Sequence, residues 1–291
     1  MPVYLPDTTE EVLSLLAAHP NAMLLAGGTD VMVGINHQHG LRQETSIIAL
    51  RNVSELSRYT IDDTASTISL GASVTWTALE EAPFVERVRC LAEAARTVGS
   101  RQIRNAGTIG GNIATASPAG DGVCALVALD AQLMLSSATG SRQIALTDFV
   151  TGPKRTSRAD NEVITSVEVP IVKGWQSYAK IGVRNAMVIS IAGVAVVLNT
   201  EHRSVSIALG SVGPVIIRAT EAETALAQQI DWERCSISAD DLDDGARLAA
   251  TAASPITDHR STAAYRKHAV QVLTKRLVQR GLRDLAERGP S

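Results

Sequence analysis

Apolar positions first recur at helical spacing near the N-terminus, where Val12, Leu15 and Leu16 follow the capping-box pair Thr8 and Glu11. The run stops at His19-Pro20, so one helix is expected there. Ala22 to Ala26 reads as a short buried strand, Gly27-Gly28 as a sharp turn, and Ile47 to Leu50 as a second apolar strand. From Tyr59 the pattern shortens to β segments at Thr67 to Leu70 and Ala72 to Val74. A helix follows, with an apolar face of Phe84, Val85, Val88, Leu91, Ala92 and Ala95, ended by Gly99.

Residues 100–122 are rich in Gly, Ser, Thr and Asn and carry almost no hydrophobic periodicity, so they read as a long functional loop before the apolar run Val123 to Leu129. Gln132 to Ser136, Ile144 to Leu146 and the alternating Val163, Thr165, Val167 and Val169 are strand-like. Strands at Ser177 to Val183, Ile189 to Leu198 and Val205 to Leu209 precede helices beginning near Arg218, Ser238 and Ser261. Strands cluster within each half instead of alternating with helices, which predicts an α+β fold. A boundary near Pro170 to Gly174 divides a first domain, 1–174, with sub-domains of about 1–56 and 57–174, from a second at 175–291.

Composition narrows the function classes. A chain of 291 residues with 45% hydrophobic and 20% charged positions has room for two domains and little for disorder. A net charge of −3 and 3% aromatics give no basic footprint or stacking surface for nucleic acid. The N-terminus lacks the features of a signal peptide, and no run of about 18 apolar residues occurs, so a cytoplasmic protein without membrane insertion is expected. Cys90, Cys124 and Cys235 are dispersed and odd in number, which suggests neither a disulfide framework nor an iron–sulfur cluster, whose usual ligands are four thiolates.

Two segments carry candidate chemistry. In Leu25-Ala26-Gly27-Gly28-Thr29-Asp30-Val31 an apolar strand runs into a glycine pair backed by a hydroxyl and a carboxylate. Glycines there allow positive φ and let amide N–H groups approach an anion, although a plain strand-to-helix turn capped by Thr29 or Asp30 fits the same residues. The second segment, Arg101 to Pro118, gathers three glycines, two threonines and two asparagines, a composition suited to wrapping a pyrophosphate, and is followed by Asp121, a candidate acceptor for ribose or adenine. It is neither the G-x-G-x-x-G turn of dinucleotide folds nor the G-x-x-x-x-G-K-S/T of a P-loop. No G-x-S-x-G elbow supports a hydrolase. His37 and His39 lie in a Gly-flanked loop with no matching Cys or acidic set, so no metal site is expected.

Ala26-Gly27-Gly28-Thr29-Asp30 and the stretch from Ile103 to Pro118, which includes Thr108-Ile109-Gly110-Gly111-Asn112, resemble the two FAD-binding loops of the flavin subunits of molybdenum hydroxylases, the carbon monoxide dehydrogenase medium subunit and the xanthine dehydrogenase FAD-binding subunit. The resemblance continues in order through Asn161 to Ile164, Lys180-x-Gly182-x-Arg184, Ala208 to Pro214, Asp258-x-Arg260 and Tyr265-Arg266. It implies a two-lobed FAD-binding domain of the PCMH type followed by a smaller α+β C-terminal domain, holding FAD non-covalently.

By the same resemblance, the backbone of Leu25 to Val31 and of Thr108 to Asn112 holds the pyrophosphate, with hydroxyls from Thr29, Thr108 and Thr115. Asp121 faces the AMP half, and Gly99, Ile164 and Lys180 lie toward the flavin and its ribityl chain. No catalytic residue is implied, because the flavin carries the redox chemistry. Partners follow too: a large subunit with the molybdenum cofactor and a small one with 2Fe-2S clusters, with a dimer of heterotrimers as one assembly the resemblance allows. The chain departs from many relatives at Asn36-His37, where they carry a lysine, and at Asn185 to Ile189, where some place an aromatic over the flavin. A free-standing FAD oxidase or reductase is the alternative, but it would need a lid, a base or a flavin attachment point, and none is identified.

Overall fold

A computed structural model describes residues 2–36 and 46–288. In chain order the first elements are β1 (Val3–Tyr4), α1 (Thr9–Ala18), β2 (Met23–Leu25), α2 (Val31–Asn36), β3 (Ile47–Ala49), β4 (Tyr59–Asp62) and β5 (Thr67–Gly71). Five helices follow: α3 (Phe84–Arg87), α4 (Arg89–Thr97), α5 (Arg101–Ala106), α6 (Ile109–Thr115) and α7 (Asp121–Ala128). Then come β6 (Gln132–Ser137), β7 (Gly140–Ala145), α8 (Leu146–Phe149), β8 (Val150–Gly152), β9 (Arg155–Thr156) and β10 (Val163–Pro170). The chain continues as β11 (Gly174–Ile181), β12 (Ala192–Asn199), β13 (Ser204–Gly210), β14 (Ile217–Arg218), α9 (Thr220–Gln229), α10 (Ala239–Ala252) and α11 (Ala263–Arg288). The class is α+β, as the strand clustering predicts.

The chain divides into two compact units, each discontinuous in sequence: Met1–Ala78, Ser100–Ala116 and Ala131–Pro170 form the first, and Leu79–Gly99, Ser117–Asp130 and Ile171–Ser291 the second. In the first unit β1 and β2 flank β3 in a parallel three-stranded sheet, and β4-β5-β10-β6-β7 form an antiparallel five-stranded one. Val12 and Leu16 of α1 pack on Ile48, Leu50, Val53, Leu56 and Val163. Thr8 caps α1 by accepting the Glu11 N–H, as the sequence pattern predicts, while the Glu11 carboxylate accepts the N–H of Asp7 at 2.8 Å.

Strand β10 corrects the alternation expected for Val163, Thr165, Val167 and Val169. Its register against β6 shifts between Ile164 and Ser166, so Thr165 is an extra residue and the faces exchange across it. Paired residues of an antiparallel ladder share a face. Val167 opposite Leu133 and Ile164 opposite Leu135 therefore lie on one face, and Val163 opposite Ser136 on the other, where it joins the α1 core.

In the second unit β11-β12-β13-β14 form an antiparallel sheet. Strand β12 is buried along nearly its whole length, which requires cover on both faces. One face, with Trp175, Val194, Val196, Leu198, Ile207 and Leu209, packs against α9, α10 and α11. The opposite face receives α4 and α7, two helices from far earlier in the chain, and Cys124 of α7 donates to the carbonyl of Ala208.

Three expectations about elements change. The helix read through Phe84 to Ala95 breaks at Val88, whose φ of −134° ends α3 and starts α4. Ala72 to Val74 is a turn, not a strand. The stretch 100–122, read as loop, contains α5 and α6, capped by Ser100 and Thr108. Helices of six and seven residues are too short to show a periodicity.

Candidate functional site: a glycine cradle and a buried carboxylate cluster

In the first unit the two glycine segments lie backbone against backbone. A Cβ at Gly27 would overlap the carbonyl of Ala106 and come within 3.0 Å of the Gly107 Cα. The φ of +70° at Gly28 turns the chain after β2, and the N–H of Met32 then closes on the Gly28 carbonyl at 2.9 Å. A Cβ at Gly107 would in turn stand 3.5 Å from the Thr29 hydroxyl. Among the described residues, the N–H groups of Gly27, Gly28, Thr29, Asp30 and Val31 donate to no protein acceptor. Five consecutive open amides, four of them at half-buried residues and one at the exposed Asp30, lie on a rigid backing and form a donor array of the kind that receives phosphate oxygens.

The second segment has a different bond pattern. Ile109 donates to the Val74 carbonyl at 3.0 Å, Gly110 to that of Ala72 at 2.8 Å, Gly111 to the Thr108 hydroxyl at 3.1 Å, and Asn112 to the Thr108 carbonyl at 3.0 Å. These amides are spent within the protein. The Thr115 hydroxyl likewise donates to the Gly111 carbonyl at 2.9 Å. What this segment leaves open is the side-chain oxygen of Asn112, which is buried with no hydrogen-bond partner among the described residues. A buried acceptor without a donor is costly unless a ligand supplies one. A Cβ at Gly111 would meet only the Thr108 hydroxyl, at 2.9 Å, and Ala26, at 3.9 Å, so that side is kept open. Ile164 is buried in β10 beside the bulge, 6% exposed.

The second unit holds Gly99, Asp121 and Lys180. Gly99, with φ of +49°, follows the end of α4. Asp121, at the first position of α7, is the hub of a buried cluster. Its Oδ1 accepts from the Tyr178 phenol at 2.6 Å and the Ser190 hydroxyl at 2.5 Å, and its Oδ2 from the Lys180 ammonium at 2.6 Å and the Thr97 hydroxyl at 3.1 Å. Lys180 places its remaining N–H groups on the carbonyls of Thr97, at 3.0 Å, and Val188, at 3.1 Å. All three ammonium protons are thus engaged inside the protein, and the carboxylate has four partners around it, of which the Thr97 hydroxyl shares its one proton with the Ala94 carbonyl at 2.8 Å.

Burial, and then the charge of Asp121, pushes the Tyr178 phenol well above its ordinary range, so it stays protonated and donating. Burial likewise raises the thiols of Cys90 and Cys124. Neither is poised as a thiolate.

Strand β11 fastens α4 along its length. Gln176 accepts the N–H of Cys90 at 3.1 Å, Glu93 accepts from the Ser177 hydroxyl at 2.5 Å and the Tyr178 N–H at 2.9 Å, and Lys180 reaches Thr97. Tyr178, Ser190 and Thr97 were not expected from the sequence. The period of β11, which sets Gln176, Tyr178 and Lys180 on one face, is the signal that could have grouped them.

The unspent amides, the orphaned Asn112 oxygen and the open side of Gly111 fit a cofactor that bears a pyrophosphate and hydroxyl donors. Residues 1–172 match the model of the FAD binding domain in molybdopterin dehydrogenase, and residues 177–280 that of the CO dehydrogenase flavoprotein C-terminal domain. The chain belongs to the FAD-binding subunits of the molybdopterin dehydrogenase family.

A nicotinate dehydrogenase FAD-subunit of Eubacterium barkeri is 34% identical over 235 residues, covering 77% of this chain and 78% of that protein. A glyceraldehyde dehydrogenase medium chain of Sulfolobus acidocaldarius is 30% identical over 272 residues, covering 92% and 93%. Among solved structures, a chain of carbon monoxide dehydrogenase from Hydrogenophaga pseudoflava, in a form lacking the Mo-pyranopterin moiety, superimposes with a TM-score of 0.86 at 28% identity, over 97% of this chain and 96% of that one. In this family the chain is the FAD subunit of a multi-subunit oxidoreductase. No His, Cys, Asp and Glu group among the described residues could hold a metal ion, and His37 and His39 lie outside those residues. No described helix is long and apolar enough to cross a membrane.

Proposed function

We propose that this chain holds one non-covalent FAD and relays electrons from the iron–sulfur clusters of a small partner, fed by a large molybdenum-cofactor subunit, to a terminal acceptor. The observation that carries the reading is the run of open amides from Gly27 to Val31, backed against Ala106 and Gly107. In this reading those five N–H groups, with Leu25 and Ala26 leading into them, bind the pyrophosphate. Residues 108–112 act differently: the amides of Ile109 to Asn112 brace the cradle, and Asn112 accepts a hydrogen bond from a cofactor hydroxyl or N–H. Thr29 offers a hydroxyl, Thr108 and Thr115 hold the turn in shape, and Ile164 gives the sheet an apolar wall.

The resemblance also carries Gly99, Asp121 and Lys180 toward FAD. Their geometry suits support: a carboxylate and an ammonium that neutralise each other and are locked by Tyr178, Ser190 and Thr97 form a rigid, pre-set surface. When bound, FAD supplies the redox chemistry, joining one-electron donors to a two-electron acceptor. The protein supplies position and a dielectric environment, so no general acid or base is required of it.

Partnership follows from what the chain lacks. Three dispersed cysteines, none in a described metal-binding group, supply no cluster, so the electron donor arrives on another chain. Relatives named for nicotinate, glyceraldehyde and carbon monoxide are 34%, 30% and 32% identical to this chain, which supports a choice of substrate made on the large subunit. Free cysteines accord with a reducing cytoplasm, and a dimer of heterotrimers is the assembly we propose. Native purification of the untagged chain with metal analysis tests the partnership. Molybdenum and iron in stoichiometric amounts with FAD are expected, and a chain that purifies alone, with FAD and no metal, would contradict it.

A further inference from the structure

The bulge in β10 lies on its β6 side, while against β5 the register runs unbroken from Ser166 opposite Gly71. One residue further along that register, the Thr165 carbonyl accepts the N–H of Ala72 at 3.0 Å. The Ala72 carbonyl in turn accepts the N–H of Gly110 at 2.8 Å. Ala72 also sets the shape of the glycine pair, because a Cβ at Gly110 would stand 2.6 Å from the Ala72 Cβ.

The extra residue is itself tied down by its side chain. Its hydroxyl donates to the Met134 carbonyl at 3.2 Å and lies 3.2 Å from the Ser136 hydroxyl, which receives a bond from the Ser141 hydroxyl at 2.9 Å. One consistent proton order runs Ser141 to Ser136 to Thr165 to the Met134 carbonyl, each hydroxyl donating once.

We infer that Thr165 is a positioning residue for the FAD cradle. The hydroxyl chain from β6 and β7 pins Thr165 where it has lost its β6 pairing, the pinned residue holds its carbonyl on Ala72, and Ala72 sets Gly110 and through it Gly111. The inference rests on the proposed part of residues 108–112 in that cradle. The extra residue of a bulge is left unpaired on the ladder, so its side chain has to hold it, and a site is only as well set as the groups behind it.

The test compares FAD dissociation constants and apo-protein thermal midpoints for the full chain carrying Thr165→Val, Thr165→Ser, Ser136→Ala, Thr139→Val or Gly111→Val. Loss of the Thr165 hydroxyl weakens FAD binding roughly five- to ten-fold, the worth of about one hydrogen bond. Thr165→Ser restores wild-type affinity, and Ser136→Ala, removed from the backbone step, gives a smaller loss of the same sign. Thr139→Val, which removes a hydroxyl paired with Ser137 at 3.1 Å in the β6–β7 hairpin, leaves FAD binding unchanged. If Thr165→Val does not fold, Ser136→Ala carries the comparison. Wild-type affinity in Thr165→Val, or in its absence Ser136→Ala, or equal losses in Thr165→Ser and Thr165→Val, would overturn the inference. Gly111→Val separates the two levels. Unchanged FAD binding there would bring down the cradle reading and this inference with it, whereas a large loss there beside an inert Thr165→Val would bring down the inference alone.

Discussion

Gly27 packs its Cα against the carbonyl of Ala106, so closely that a methyl group at Gly27 would stand 2.6 Å from the Ala106 carbonyl carbon. Residues 79 positions apart in sequence thus meet without a side chain between them. This approach holds the open amides of Gly27 to Val31 to a fixed curve, because their backing is backbone and not a mobile side chain.

The two glycine segments should therefore fail in different ways. In Gly27→Ala the added methyl has no flexible neighbour to displace, so the apo-protein loses about 1–3 kcal/mol of stability together with its FAD. In Gly111→Val the new atoms face little beyond the Thr108 hydroxyl, so FAD affinity falls far more than the apo thermal midpoint. Paired measurements of both quantities on both variants check this; equal, small effects for Gly111→Val would mark an ordinary loop.

The Asp121–Lys180 pair, with side chains 8% and 10% exposed, should be intolerant of losing one member. Asp121→Asn or Lys180→Met leaves the other charge buried and uncompensated, a loss of about 3–5 kcal/mol. The double variant should cost less than the sum of the two. Chemical denaturation of the apo-protein measures the cycle, and additive losses would show that the two groups do not act as a pair.

Much of this fold can be read locally. The Thr8–Glu11 cap, the Ser238 cap of α10 and the apolar runs that become β11, β12 and β13 all depend on neighbours in sequence. What local reading misses depends on distant partners. The bulge at Thr165 is set by pairing with β6, and a strict two-residue period hides it. Helices α5 and α6 form under capping and packing, not propensity. The near-total burial of β12 signals cover on both faces, yet nothing local shows that α4 and α7 supply the second cover. At the site, residue types alone mark 108–112 as phosphate-binding, but only the bond pattern shows that the amides of 109–112 are already engaged while those of Gly27 to Val31 are open.

Acid should weaken the first unit through Glu162. The two bonds from Arg142, at 2.6 and 2.9 Å, hold the Glu162 carboxyl below its ordinary value against the opposing effect of burial. A carboxylate with a depressed folded-state pKa contributes its full stabilisation above the unfolded value of about 4.3 and loses it as pH falls through the lower folded value. Glu162→Gln removes that contribution, so its thermal midpoint should fall less steeply than the wild type's between about pH 5 and pH 3. Some slope remains. Burial acts to raise Asp258 and Asp284, but hydrogen bonds from Arg260 and Arg266 on the first, and from Trp175 with the charge of Arg280 on the second, hold both below their ordinary values. Identical pH profiles for wild type and Glu162→Gln would show that the Arg142 pair does not couple to folding.

The relay itself is tested most directly by flavin reduction without oxygen. The purified chain, loaded with FAD, is mixed anaerobically with candidate hydroxylase substrates, alone and with co-expressed molybdenum and iron–sulfur subunits, while the flavin absorbance is followed. A chain that positions FAD but carries no substrate site or cluster leaves the flavin oxidised when alone and reduced once its partners are present. Rapid substrate-driven reduction of the chain by itself would contradict the relay and make it a free-standing flavoenzyme.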